Sequence, residues 1–176
     1  GDEVLLPDPG YTDYLAGVLL AKGQPKPLKL SRARHYLPDW NAVDTTNTRL
    51  IYLTYPNNPT GSVATKAFFQ DTIDRFKQTK TKIVHDFAYQ AFGFDQPNPS
   101  ILQAEGAKSC AVEVFSFSKG YNMSGYRVGF AVGNAEMIEN LQKYHTHTQA
   151  GMYGALQDAC TVALNECCLL YTSPSP

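Results

Sequence analysis

An α/β domain with a mostly parallel sheet flanked by helices is the fold that this sequence predicts. Three observations lead there. Short apolar runs at Leu50–Leu53, Lys82–His85 and Ala111–Phe115 have the length and character of strands buried on both faces. Stretches of helical period separate them, and strands alternating with helices imply parallel pairing through crossovers. Each run ends on a polar segment rich in turn formers, where helices and loops take over.

The elements follow in order. Val4-Leu5-Leu6 is a short apolar run that Pro7-Asp8-Pro9-Gly10 ends with a turn signal. Tyr11, Tyr14, Leu15, Val18 and Leu19 then fall on one stripe of an amphipathic helix, which Gly23 and the prolines at 25 and 27 stop. Residues 24–49 are polar and broken, with an edge strand expected around Leu28–Leu30 and a short helix after Pro38. The strand at 50–53 runs into Tyr55-Pro56-Asn57-Asn58-Pro59-Thr60-Gly61, where two prolines and a glycine forbid regular structure; both prolines are candidates for cis bonds. Thr65 is placed to cap a helix whose apolar stripe is Phe69, Ile73 and Phe76. The strand at 82–85 ends on Asp86, and a Pro/Asn-rich loop follows at 95–99. The strand at 111–115 ends on Ser116, and Arg127–Val132 is another strand. Asn134 is placed to cap a helix carrying Met137, Ile138, Leu141 and Tyr144, and a last helix is expected over about 152–166. Residues 167–176 keep no periodicity and end in a Ser/Pro run, so they are expected to be an unstructured or non-native tail.

Composition excludes several classes. The 176 residues carry 15 Lys+Arg against 16 Asp+Glu, which argues against a nucleic-acid surface built on bulk positive charge. The longest apolar stretch, near Leu15–Ala21, falls far short of the roughly 18 residues that a membrane helix needs. Gly1-Asp2-Glu3 is acidic, with no basic-then-apolar leader behind it, so no signal peptide is expected. The four cysteines (Cys110, Cys160, Cys167 and Cys168) show no CxxC and no zinc-ligand spacing, and read as reduced, mostly core thiols of a cytoplasmic protein. No metal site is expected. His145 and His147 are two apart and face different ways on a helix, His35 sits in a polar loop, and His85 should point to the strand face opposite Asp86; all four read as structural.

Ligands of α/β sheets collect at the carboxyl ends of the strands. Three such ends here carry polar residues: Asn58 after the first, Asp86 on the second, and Ser116-Phe117-Ser118-Lys119 after the third. Any one alone reads equally as a helix cap or a turn former. Together and in this order, Tyr55–Gly61, Asp86-Phe87-Ala88-Tyr89, Ser116–Lys119 and Gly125-Tyr126-Arg127-Val128-Gly129-Phe130 resemble the signature set of the class I/II aminotransferases, fold-type-I enzymes that use pyridoxal 5'-phosphate (PLP). The resemblance runs from residue 1 to about 166, implying part of the PLP-binding large domain of such a transferase, truncated at both ends. Gly1-Asp2-Glu3-Val4, Pro7-Asp8-Pro9-Gly10-Tyr11 and Tyr153–Ala159 look most like enzymes near the diaminopimelate and N-acetyl-diaminopimelate aminotransferases.

The resemblance implies a role for each matching residue. Lys119 matches the lysine that holds the PLP aldehyde as a Schiff base. Asp86 matches the carboxylate that stabilises the protonated pyridine nitrogen. Asn58 and Tyr89 match the two donors to the phenolic oxygen, and Ser116, Ser118 and Arg127 match the phosphate residues. Tyr11 matches the ring-stacking position, although it also begins the apolar stripe of its helix. The implied reaction moves an amino group between an amino acid and a 2-keto acid, in a homodimer of the full-length protein. No residue matches the arginine that grips the substrate carboxylate, so the chain alone is expected to be inactive and poorly soluble. Two other readings compete. Ser116-x-x-Lys119 also fits the SxxK motif of penicillin-binding proteins, but the SDN and KTG elements are missing. An aminotransferase-like effector domain of a transcription regulator is the alternative that an upstream helix-turn-helix would favour.

Overall fold

The computed structural model describes residues 1–166; the expected tail at 167–176, with Cys167 and Cys168, lies outside the described residues. Six strands form one sheet in the order β2-β1-β3-β4-β5-β6. They are β1 (Glu3–Asp8), β2 (Gln24–Lys29), β3 (Thr48–Thr54), β4 (Lys82–Asp86), β5 (Ala111–Ser116) and β6 (Gly129–Gly133). The first five pair in parallel, and β6 runs antiparallel beside β5. The mostly parallel sheet expected from the sequence is therefore the sheet observed.

One face of the sheet carries the main core. Helix α2 (Lys66–Phe76), the second of five α-helices among the described residues, lays Phe69, Ile73 and Phe76 on Leu5, Ile51, Leu53 and Ile83, all of them buried. The i, i+4, i+7 spacing of its apolar residues puts all three on one side. Its start is fixed as expected: the Thr65 side chain accepts from the Phe68 N–H at 3.1 Å. Trp40 closes the core from the 31–47 segment and donates from Nε1 to Thr72 Oγ1 at 2.9 Å. Phe69 is 1% exposed. Phe69→Ala in the intact protein is expected to cost about 3–5 kcal/mol, read as a lower urea midpoint at unchanged slope. A loss below about 1 kcal/mol would show that this face is not the core.

Alternation along the strands sends the other residues to the opposite face. Tyr52 and Thr54 of β3, and Val84 and Asp86 of β4, lie there, under α1 (Asp13–Leu20). Only Val18 of α1 is buried, and Leu15 and Leu19 of the expected stripe are exposed. Tyr11 precedes the helix. The short helix α3 (Phe117–Gly120) contributes Phe117 to a second small cluster with Val128 and with Cys160 and Ala163 of α5 (Gly154–Glu166). Helix α4 (Ala135–Gln149) is capped by Asn134, which accepts from the Met137 N–H at 3.1 Å, but none of its expected apolar stripe is buried. Cys110 and Cys160 are buried free thiols, and burial pushes both above the ordinary thiol range. No helix among the described residues is long and apolar enough to cross a membrane.

Three sequence expectations need correction. No helix forms after Pro38; a 3-10 turn at Arg32–Arg34 precedes that point, and Asp39 Oδ1 accepts from the Asn41 N–H at 3.2 Å. This side chain-to-backbone bond offers the segment a local alternative to helix. The edge strand starts earlier than Leu28 and spans Pro25 and Pro27. Both prolines lack an N–H on the same side of the strand, which an edge strand with one free side tolerates. Finally, β6 begins at Gly129, because Arg127 takes a left-handed conformation (φ 54°) at the end of a 3-10 turn over Ser124–Tyr126. Gly129 itself comes so close to β5 that a Cβ there would sit 2.4 Å from the Phe115 carbonyl oxygen.

Candidate active site

Parallel pairing brings the carboxyl ends of β3, β4 and β5 to one edge of the sheet, and a hollow of about 490 Å³ opens there. That volume lies in the range of small-molecule sites. Its wall includes Tyr11, Asn58, Asp86, Tyr89, Ser116, Ser118, Lys119 and Arg127. All eight residues singled out from the sequence thus line one hollow. A larger cavity, about 920 Å³, opens at the amino-terminal edge of the sheet beside Glu3, Gln24, Thr48 and Thr81, and holds none of them. The chemistry-bearing groups therefore mark the smaller hollow as the site.

Asp86 is held on both oxygens. Oδ1 accepts from the Ala88 N–H at 3.0 Å, and Oδ2 accepts from the Tyr14 hydroxyl at 2.5 Å. The Tyr14 oxygen also lies 2.8 Å from Thr54 Oγ1, and its ring stacks on Tyr52 with centroids 4.8 Å apart. A phenol has one proton to give, so Thr54 donates to Tyr14 while Tyr14 donates to Asp86. Burial, then the charge of Asp86 and its hydrogen bond, push the Tyr14 hydroxyl far above the ordinary phenol value, which keeps it a neutral donor. Neither Tyr14 nor Thr54 was singled out from the sequence. The available signal was strand parity: Thr54 and Asp86 are register partners, and Tyr52 shares their face.

The tyrosines also set an alkaline limit. Burial raises Tyr55 as well, whose hydroxyl donates to the Tyr36 carbonyl at 2.7 Å. A phenol raised in the folded state holds its proton more tightly there than in the unfolded chain. Its stabilising effect is therefore complete below the unfolded value of 10.0 and is lost as pH rises above it. Urea midpoints of the intact protein should thus fall above about pH 10, and Tyr55→Phe should flatten that fall. An unchanged slope in the variant would refute the assignment to Tyr55.

The remaining residues come from two short segments. Ser116 ends β5 and caps α3, its Oγ accepting from the Ser118 N–H at 3.1 Å. Lys119 follows one turn later, with Nζ 5.7 Å from the centroid of the Tyr89 ring. Arg127 donates from one guanidinium nitrogen to the Ser124 carbonyl at 3.2 Å. Among the described residues, neither Lys119 nor Arg127 forms an ion pair, and Asp86 faces no cation within 4 Å. Tyr11 meets Tyr14 edge-on at 5.4 Å and donates to Asp13 at 2.6 Å, a bond that raises its own phenol. In the loop carrying Asn58, the bonds preceding Pro56 and Pro59 are both cis.

Known proteins resemble this chain along most of its length. The family model described as aminotransferase class I and II matches residues 1–167. A solved aminotransferase structure from Staphylococcus aureus superposes with a TM-score of 0.92 at 68% identity, covering 94% of this chain and 45% of that one. The L-glutamine–4-(methylsulfanyl)-2-oxobutanoate aminotransferase of Bacillus subtilis is 48% identical over 168 residues, 93% of this chain and 42% of the relative. The LL-diaminopimelate aminotransferase of Halothermothrix orenii is 42% identical, over 93% of this chain and 43% of the relative. The chain thus spans less than half the length of these curated relatives. Matched by this one family model along nearly its whole length, the chain belongs to the class I and II aminotransferases.

Proposed function

We infer that the intact protein is a PLP-dependent aminotransferase, moving an amino group between an amino acid and a 2-keto acid. One observation carries this reading: Asp86, Lys119 and Arg127 share one hollow with five further polar or aromatic residues of the expected set. The donor set fits PLP. The hollow gathers one carboxylate, Asp86, that pairs with no cation among the described residues, together with the cations Lys119 and Arg127 and the hydroxyls of Ser116 and Ser118. A ligand with a basic ring nitrogen at one end and a phosphate at the other satisfies both.

Bound PLP supplies an aldehyde that takes up amines and a ring that accepts electrons. The chain's residues do the rest. Asp86, held by Tyr14 and the Ala88 N–H, keeps a proton on the ring nitrogen. Asn58 and Tyr89 would serve as donors to the ring's phenolic oxygen, and Tyr11 would offer an aromatic face to the ring. Ser116, Ser118 and Arg127 would hold the phosphate, which an arginine can grip with paired N–H groups. Lys119 presents the amine that removes the substrate Cα proton as a base and returns a proton as an acid. The resemblance further supports residues 1–166 as part of the large domain, a cytoplasmic location, and a homodimer.

The relatives' activities suggest the substrates. L-glutamine and 4-(methylsulfanyl)-2-oxobutanoate are proposed as donor and acceptor, with LL-diaminopimelate as the donor to compare. Transfer to that acceptor makes methionine, which chromatography detects. Methionine formed by the intact protein with added PLP is the expected result. No amino product from either donor, with 2-oxoglutarate as the alternative acceptor, would overturn the reading.

A further inference from the structure

The sheet face opposite the hollow carries a buried polar network that the reading above leaves unused. His85 precedes Asp86 on β4, so its ring turns away from the hollow. It is fully buried, and so is Glu113, its register partner on β5. His85 Nδ1 lies 2.7 Å from Glu113 Oε1, and Nε2 lies 3.1 Å from the backbone oxygen of Tyr55. Ser100 Oγ, 2.5 Å from Oε2, and the Ile101 N–H, 3.0 Å from Oε1, complete the carboxyl group.

Proton counting fixes the direction of these bonds. A carbonyl oxygen only accepts, so Nε2 carries a hydrogen and donates to Tyr55. One further proton lies between Nδ1 and Oε1, on either atom. Tyr55 is the root of the segment that carries Asn58. Beyond it, Asn57 ties the loop to itself: its Oδ1 accepts from the Thr60 N–H and hydroxyl, and its N–H donates to the Ser62 carbonyl. The loop is therefore braced by its own hydrogen bonds and joins the sheet at Tyr55.

We propose that His85 and Glu113 are positioning residues that hold the Tyr55 carbonyl and thereby set Asn58 against the PLP phenolic oxygen. The proposal rests on the aminotransferase reading. A buried pair of this kind adds little net stability over an apolar pair of similar size, so its consequence lies in what it holds.

Glu113→Gln keeps the size and breaks the proton count. With the amide oxygen facing His85 and the Ile101 N–H, His85 must carry its proton on Nδ1, and Nε2 turns a lone pair toward Tyr55. With the amide NH₂ facing them, two donors meet at Ile101. The test uses the intact, PLP-loaded protein, and its readout is the pH midpoint of the cofactor's visible absorbance. A displaced Asn58 no longer stabilises the ionised phenolic oxygen, so the midpoint should rise by about one unit. Asn58→Ala should raise it likewise, and adding Glu113→Gln to Asn58→Ala should move it no further. His85→Phe with Glu113→Leu is the second variant. The apolar pair removes the donor and leaves the Tyr55 carbonyl and the Ile101 N–H without partners, so the same rise is expected together with a lower unfolding temperature; this variant carries the comparison if Glu113→Gln does not fold. Wild-type midpoints in the folded variants, or shifts that add to that of Asn58→Ala, overturn the positioning role. Failure of the aminotransferase reading looks different: wild-type protein would then show no visible PLP absorbance at all.

Discussion

Lys119→Ala is expected to abolish the visible absorbance of covalently held PLP and to lower kcat by about 10²–10⁴-fold or more. The side chain is exposed, and its contact is the face of Tyr89. Removing it therefore opens no core cavity and breaks no ion pair seen among the described residues. Thermal unfolding should stay within about 0.5 kcal/mol of wild type. That combination, an intact fold with no absorbance band and little turnover, separates a reactive lysine from a structural one. A variant that keeps both the band and the activity would sink the assignment of Lys119.

Asp86→Asn is expected to give the next largest loss while leaving PLP bound. The substitution keeps the size of the side chain. Its oxygen can still accept from Ala88, and Tyr14 can turn to accept from the new amide. Only the charge disappears. An adjacent carboxylate shifts a cationic partner by about one to three pKa units, so kcat/KM should fall by about 10–10³-fold. Ser116, Ser118 and Arg127 lie outside the change, so the absorbance band should survive. Tyr14→Phe removes only the donor to Asp86 Oδ2 and should cost less, about tenfold. Steady-state kinetics with the donor found for the wild type measures all three. Wild-type kcat/KM in Asp86→Asn would remove the aspartate from the mechanism.

The parts legible in the sequence are those fixed by local pattern. Strands β3, β4 and β5 are mainly apolar runs buried on the face under α2, and α2 has both a stripe and a cap. Asn58, Asp86 and Ser116–Lys119 stood out because they follow apolar strands, and Tyr11, Tyr89 and Arg127 stood out only through the resemblance to the family's motifs in a fixed order along the chain. Missed features depend on partners far apart in sequence. Tyr14 and Asp86 are 72 residues apart and meet through sheet order and register. His85 read as structural because nothing nearby in the chain marks Glu113 or the Tyr55 carbonyl as its partners. The failed helix after Pro38 and the late start of β6 share a different cause: side chain-to-backbone bonding at Asp39 and a left-handed residue at Arg127 override apolar spacing.

Strand β4 assigns neighbouring residues to opposite sides, one wet and one dry. Its tolerance of change is accordingly lopsided. Inserting a single residue ahead of Val84, with pairing to β3 kept at the other end, would swing an imidazole out among the ligand's neighbours and drive a carboxylate into hydrocarbon. No point substitution elsewhere repairs such a frame error. The loop at 95–99 is under no such restriction, so length variation in this half of the chain belongs there and not in the strand.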